Sequence, residues 1–208
     1  MNKRKKNYKK ILGTSIALAL FLGGVGIVQK ILDDKAHDFE DESVVKVEEK
    51  KEEKEEKTIE TLKAPVKDGI GIVRYCYNKD DDASKQEQSL ILFEGVYRPN
   101  QGIDYANKNE SFDVLAAMSG TVTKKTNDPV LGWVVTITNN DKISTTYQSL
   151  SKVSVELNKE VKQGDVIGVS GENVYEADLK NHLHFILQKD KQLYDPEKYI
   201  GKPLNTIK

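Results

Sequence analysis

Between Ile11 and Val28 the chain runs through 18 consecutive uncharged positions rich in Leu, Ile, Ala and Gly. As a helix this run rises about 27 Å, close to the hydrocarbon thickness of a bilayer. Lys30, Ile31 and Leu32 can complete the crossing, the lysine by snorkelling, so the pattern predicts one transmembrane helix over 11–32. From Asp33 to Lys63 the pattern turns charged, with Phe39 the only aromatic, and too little apolar surface remains to offset ordering entropy. A flexible linker over 33–65 is expected, with a root-mean-square reach of about 30 Å. After Pro65 come short apolar or alternating runs separated by turn residues. They predict strands at Ile70 to Tyr77, Ser89 to Phe93, Val114 to Met118, Gly120 to Lys124, Gly132 to Thr138, Ile143 to Tyr147, Asp165 to Val169 and His182 to Gln188. Turns are marked by Ser119-Gly120, Asn139-Asn140-Asp141, Gln163-Gly164-Asp165 and Ser170-Gly171-Glu172-Asn173. No long amphipathic period interrupts them, so residues 66–208 are expected to form a mainly antiparallel β domain.

Charge fixes the orientation of this layout. Residues 2–10 carry six basic groups and no acid, while 33–63 carry 13 acids and seven bases. The positive-inside rule then keeps the 1–10 tail cytoplasmic and places everything after Leu32 outside the cytoplasm. An apolar run this long, with no small-x-small site between Gln29 and Ala36, favours an uncleaved anchor over a signal peptide. The whole chain of 208 residues has 32 basic and 33 acidic groups, a net charge of −1 that offers no field for nucleic acid. A single cysteine, Cys76, excludes an internal disulfide framework and a thiolate zinc knot, and is expected to be packed in its strand.

Of three histidines, His37 lies in the linker; the other two stand in His182-Leu183-His184-Phe185. Strand periodicity sends His182 and His184 to one face and Leu183, Phe185 and Leu187 to the other. An isolated pair of this kind is more often hydrogen-bonded or solvated than functional, but its context is specific. Asn100-Gln101-Gly102-Ile103-Asp104, then Ala117-Met118-Ser119-Gly120-Thr121-Val122, Tyr147-Gln148-Ser149-Leu150 and Val161-Lys162-Gln163-Gly164-Asp165-Val166-Ile167-Gly168 precede it in order.

Over roughly 93–196 the sequence resembles the LytM, or lysostaphin-type, zinc endopeptidase family. The resemblance implies that Asp104 and His184 match two metal ligands, that His182 matches an acid/base histidine, and that Asn100 and Ser149 stand where the family has its other two histidines. The catalytic zinc of such sites has three protein ligands and an open position. Only two remain here, a carboxamide is a poor donor beside imidazole, and a serine hydroxyl carries no proton at useful pH without a separate base. No metal, cofactor or catalytic residue is therefore expected, and Asn100, Asp104, Ser149, His182 and His184 read as a degenerate site.

A narrower resemblance, carried by Tyr97-Arg98-Pro99-Asn100, Phe112-Asp113-Val114-Leu115, Asp128-Pro129-Val130-Leu131-Gly132-Trp133 and Tyr147-Gln148-Ser149-Leu150-Ser151, is to a family of forespore membrane proteins with a LytM-like domain. It implies a non-enzymatic role: binding a partner, stage III sporulation protein AH, in the opposing mother-cell membrane, in support of engulfment and a channel-like complex with possible ring assembly. Two alternatives stay open at this point. One is an active peptidoglycan endopeptidase; the other is a degenerate activator of a cell-wall amidase.

Overall fold

The alternation seen in the last apolar run organises the domain: Leu183, Phe185 and Leu187 are fully buried on one face of a strand that lies in the middle of a large sheet. The computed structural model describes residues 59–208. The expected anchor at 11–32, the cytoplasmic tail and most of the charged linker lie outside the described residues.

Among the described residues, twelve strands follow in chain order. They are β1 (Gly71–Arg74), β2 (Leu90–Phe93), β3 (Val96–Pro99), β4 (Ile103–Ala106), β5 (Asp113–Leu115), β6 (Gly120–Asp128), β7 (Gly132–Thr138), β8 (Ile143–Val153), β9 (Glu160–Val161), β10 (Val166–Ser170), β11 (Leu183–Lys189) and β12 (Gln192–Tyr194). One six-residue helix, α1 (Ala83–Gln88), precedes β2; its N-cap Asp82 accepts a hydrogen bond from Lys85 N at 3.0 Å. Ten strands form one antiparallel sheet whose main path is β1-β4-β11-β8-β7-β6-β9, with β10 joined to β5 and β8, and β12 to β11. The β2–β3 hairpin stands apart as a second, two-stranded sheet. The mainly β, antiparallel expectation holds.

Several expected strands differ in extent, for identifiable reasons. Val114, Ala116, Ala117 and Met118 are buried, but pairing stops at Leu115 because the next backbone groups bond to loops: Ala116 N donates to Asp165 O and Lys63 N to Ala117 O. β1 ends at Arg74, short of the expected Tyr77, and β8 continues past the expected Tyr147 to Val153. That extension crosses a bulge. Between the pairs Val135↔Tyr147 and Trp133↔Leu150 there is one residue on β7 but two on β8, and Ser149 takes a positive φ of 63°.

The folded body also starts earlier than the charge pattern places it. Leu62 is fully buried, Thr61 bridges to Pro203, and Glu60 accepts hydrogen bonds from Ser119 N and Oγ at 2.8 and 2.7 Å. Residues 60–65, expected at the end of the linker, are thus packed against the domain. One buried leucine outweighs the polar composition around it, since removing such a side chain from water is worth about 2 kcal/mol. Across the sheet, Tyr147 and Phe185 meet with ring centroids 5.4 Å apart, and the Tyr147 hydroxyl accepts from Ala117 N at 2.8 Å. This packing holds β8 and β11 side by side beneath the histidines.

Candidate functional site

Register across three neighbouring strands assembles the site. His184 on β11 is directly opposite Asp104 on β4, and Asp104 is directly opposite Arg74 on β1. Partners that face each other across an antiparallel ladder project to the same side, so the three side chains form one row. Arg74 reaches this row through a bulge. Ile72 pairs with Tyr105, yet the next pair is Arg74 with Asp104, so Val73 is left over and half exposed. Without the extra residue Val73 would face Asp104. Close approach of the β4 region to β11 also depends on Gly102, where a Cβ atom would come within 2.3 Å of Phe185 O.

The loop after β10 supplies the remaining groups. Its neck is closed by His182 N donating to Gly171 O at 2.8 Å, and inside it Asn173 Oδ1 accepts from Glu176 N at 2.7 Å. This brings Glu176 beneath both histidines, fully buried. Its Oε1 lies 3.5 Å from His184 Nδ1 and 3.3 Å from Arg74 Nη1; its Oε2 lies 3.4 Å from His182 Nε2 but accepts no hydrogen bond.

All five residues expected from the sequence meet here. His184 Nδ1 donates to Asp104 Oδ1 at 2.7 Å, and Asn100 Nδ2 donates to Asp104 Oδ2 at 3.0 Å and to Tyr75 O at 3.1 Å. Ser149 Oγ stands 3.4 Å from His182 Nδ1 while donating to Gly171 O at 3.1 Å, and His182 Nδ1 also donates to Lys180 O at 2.8 Å. Both histidines are buried and hydrogen-bonded. Arg74 and Glu176 were not singled out by the sequence. The signal for Arg74 was there: it is the one charged residue within Ile70 to Tyr77, and a charge inside an apolar strand demands a partner. For Glu176, in a polar loop, no such signal exists.

Charge decides how these groups titrate. Burial opposes protonation of His184, but Asp104 and Glu176 outweigh it and push the imidazole up to about 10. His182 is shifted upward too, burial again opposing and Glu176 with the Lys180 carbonyl prevailing. For Glu176, burial favours the neutral acid, yet the two imidazoles hold it well below the usual carboxylate range. Asp104 is pushed up, chiefly by burial and with His184 pulling the other way. The cluster is a buried charged network; apart from it, Cys76 lies past the end of β1 and is half-buried, and burial pushes its thiol up to about 11.

Do these residues fit a zinc ion? One oxygen or nitrogen from each of Asp104, Glu176 and His184 lies within 4.8 Å of the others, which is close enough. Their bonding is not suitable. His184 Nδ1 and Asp104 Oδ1 are bonded to each other, Asn100 turns an N–H donor toward Asp104 Oδ2, and the Arg74 guanidinium already stands 3.3 Å from Glu176 and 3.9 Å from Asp104. Above them opens a groove lined by Ile91, Gln148, Tyr175, His184 and Ile186. Phe93 of the β2–β3 hairpin packs on Tyr175 at 5.0 Å between centroids, and so ties the hairpin to the loop that carries Glu176.

Comparison with known proteins places this geometry among relatives. Residues 98–196 match peptidase family M23. Stage II sporulation protein Q of Bacillus subtilis (strain 168) is 42% identical over 154 residues, 73% of this chain and 54% of that protein, so the chain spans about half the length of this curated relative. A solved structure described as the SpoIIQ–SpoIIIAH pore-forming complex contains a chain 42% identical, with a TM-score of 0.70 over 72% of this chain and 97% of that one. A zinc-containing peptidase from Vibrio cholerae, 22% identical with a TM-score of 0.53, covers 65% of this chain and 39% of that one and shares the fold.

Proposed function

The chain belongs to the family of stage II sporulation protein Q and carries a domain of the peptidase family M23 type, and from this premise we propose that it is a non-catalytic sporulation protein that binds a partner on the opposing mother-cell membrane. The partner proposed is a protein like stage III sporulation protein AH. The observation that carries the reading is the 42% identity over 97% of a chain solved with SpoIIIAH. The proposed arrangement is a cytoplasmic tail at 1–10, a forespore-membrane anchor at 11–32 and a charged tether leading to the domain in the intermembrane space. Such a tether lets the domain meet a partner on a facing membrane, in support of engulfment and a channel-like complex.

The site supports the loss of catalysis. Asn100 and Ser149 stand where two imidazoles would be needed, Asn100 and His184 are hydrogen-bonded to Asp104, and Ser149 donates to the Gly171 carbonyl. The expected result is that the full chain, purified in detergent and supplied with Zn(II), releases no peptides from purified peptidoglycan above a no-protein control, as read by mass spectrometry. Metal-dependent release that disappears on His184→Ala would overturn the non-catalytic reading.

A further inference from the structure

Arg74 lies outside the stretch that matches peptidase family M23, yet it reaches the middle of the degenerate site. Only 7% of it remains exposed. Its Nη1 faces both Glu176 Oε1 and Asp104 Oδ2, and its Nη2 donates to Asp178 Oδ2. This is not an accident of one side-chain torsion, since the β1 bulge and the Arg74↔Asp104 register put the residue on that face. Two buried carboxylates beside a histidine are a favourable setting for a divalent cation with nitrogen and oxygen ligands. They are also costly to bury without positive charge.

We infer that Arg74 takes the place of the metal ion: its guanidinium supplies the resident positive charge between Asp104 and Glu176, and thereby keeps divalent cations out of the cluster formed with His184. A cation entering this cluster would have to approach a buried guanidinium of like sign or displace it from two carboxylates. Arg74 suits this post because its planar fork serves several oxygens at once. The loss of zinc chemistry is then a substitution of one cation for another, beyond the loss of the histidines at positions 100 and 149. The inference rests on the non-catalytic reading but not on the identity of the partner.

The test compares the parent, Arg74→Ala and Arg74→Lys as full chains in detergent. Co(II) and Zn(II) are titrated, with visible absorption bands of bound Co(II), metal content by mass spectrometry and the thermal midpoint as readouts. The parent and Arg74→Lys are expected to take up no stoichiometric metal and to show no metal-dependent midpoint. Arg74→Ala is expected to bind Co(II) and Zn(II) at least about tenfold more tightly than the parent, with a midpoint raised by metal and lowered by chelator. Should Arg74→Ala be recovered unfolded, refolding with Zn(II) but not with chelator is the same result. Stoichiometric metal on the parent overturns the inference. So does Arg74→Ala that folds and stays metal-free, or that fails to refold with Zn(II) present. Partner binding by the parent is measured separately, so its absence would count against the proposed function without touching this assignment.

Discussion

Replacing Glu176 with alanine is expected to destabilise the domain by about 3–5 kcal/mol, the typical cost of removing one partner from a buried ion pair. Glu176 is the point at which the network joins: it faces Arg74, His182 and His184 at 3.3–3.5 Å and is fully buried. Its removal leaves Arg74 and the two imidazoles with Asp104 as their only buried carboxylate. Asp178 is the internal control. It also meets Arg74, but its side chain is 59% exposed, and water can screen the pair and replace the carboxylate when it is lost. Asp178→Ala should therefore cost no more than about 1 kcal/mol. Urea denaturation of the two variants beside the parent checks the contrast. Equal small losses would mean that the buried network does not hold the site together.

The second large effect expected is on the alkaline side of the stability profile. His184 holds its proton up to about 10 in the folded state, against an ordinary value of 6.5. A group that binds its proton more tightly when folded stabilises fully below 6.5 and loses that contribution as pH rises toward 10. If the full shift is realised, the loss reaches about 4–5 kcal/mol. The raised His182 adds in the same direction. On the acid side Glu176, held below its ordinary 4.5, contributes stability above that value and loses it as pH falls further. Asp104, pushed above its ordinary 3.8, has the opposite sign and softens the acid limb. Stability should therefore be greatest between about pH 5 and 6.5 and fall steadily to pH 10. In His184→Gln the alkaline limb should flatten. A parent profile already flat from pH 6.5 to 10 would contradict the protonated, doubly paired His184.

How far the sequence leads depends on how each element is held. β7 was legible to the residue as Gly132–Thr138, and β11 nearly so, because their alternation reflects one buried face. β3 was hidden by Arg98 and a terminal Pro99, and β4 by Asp104, a charge in a four-residue strand that pattern reading takes for a loop. The two residues of β9 are too few to form a pattern at all. In the site, Asn100, Asp104, Ser149, His182 and His184 were readable because the motif spacing marks their positions whatever residues fill them. Arg74 was not assigned, since strand periodicity groups it with Ile72 and only the bulge turns it toward Asp104. Glu176 comes from a loop whose shape is set by Asn173 and the Gly171–His182 bridge, contacts that no local pattern encodes.

Calorimetric titration of the full chain in detergent with a protein like stage III sporulation protein AH, carried out in chelator, shows whether the domain binds its partner without metal. Saturable binding is expected, unchanged when Zn(II) replaces the chelator and unchanged within about threefold in folded His182→Ala. Absence of saturable binding by the folded parent, or binding that appears only with Zn(II), would contradict it.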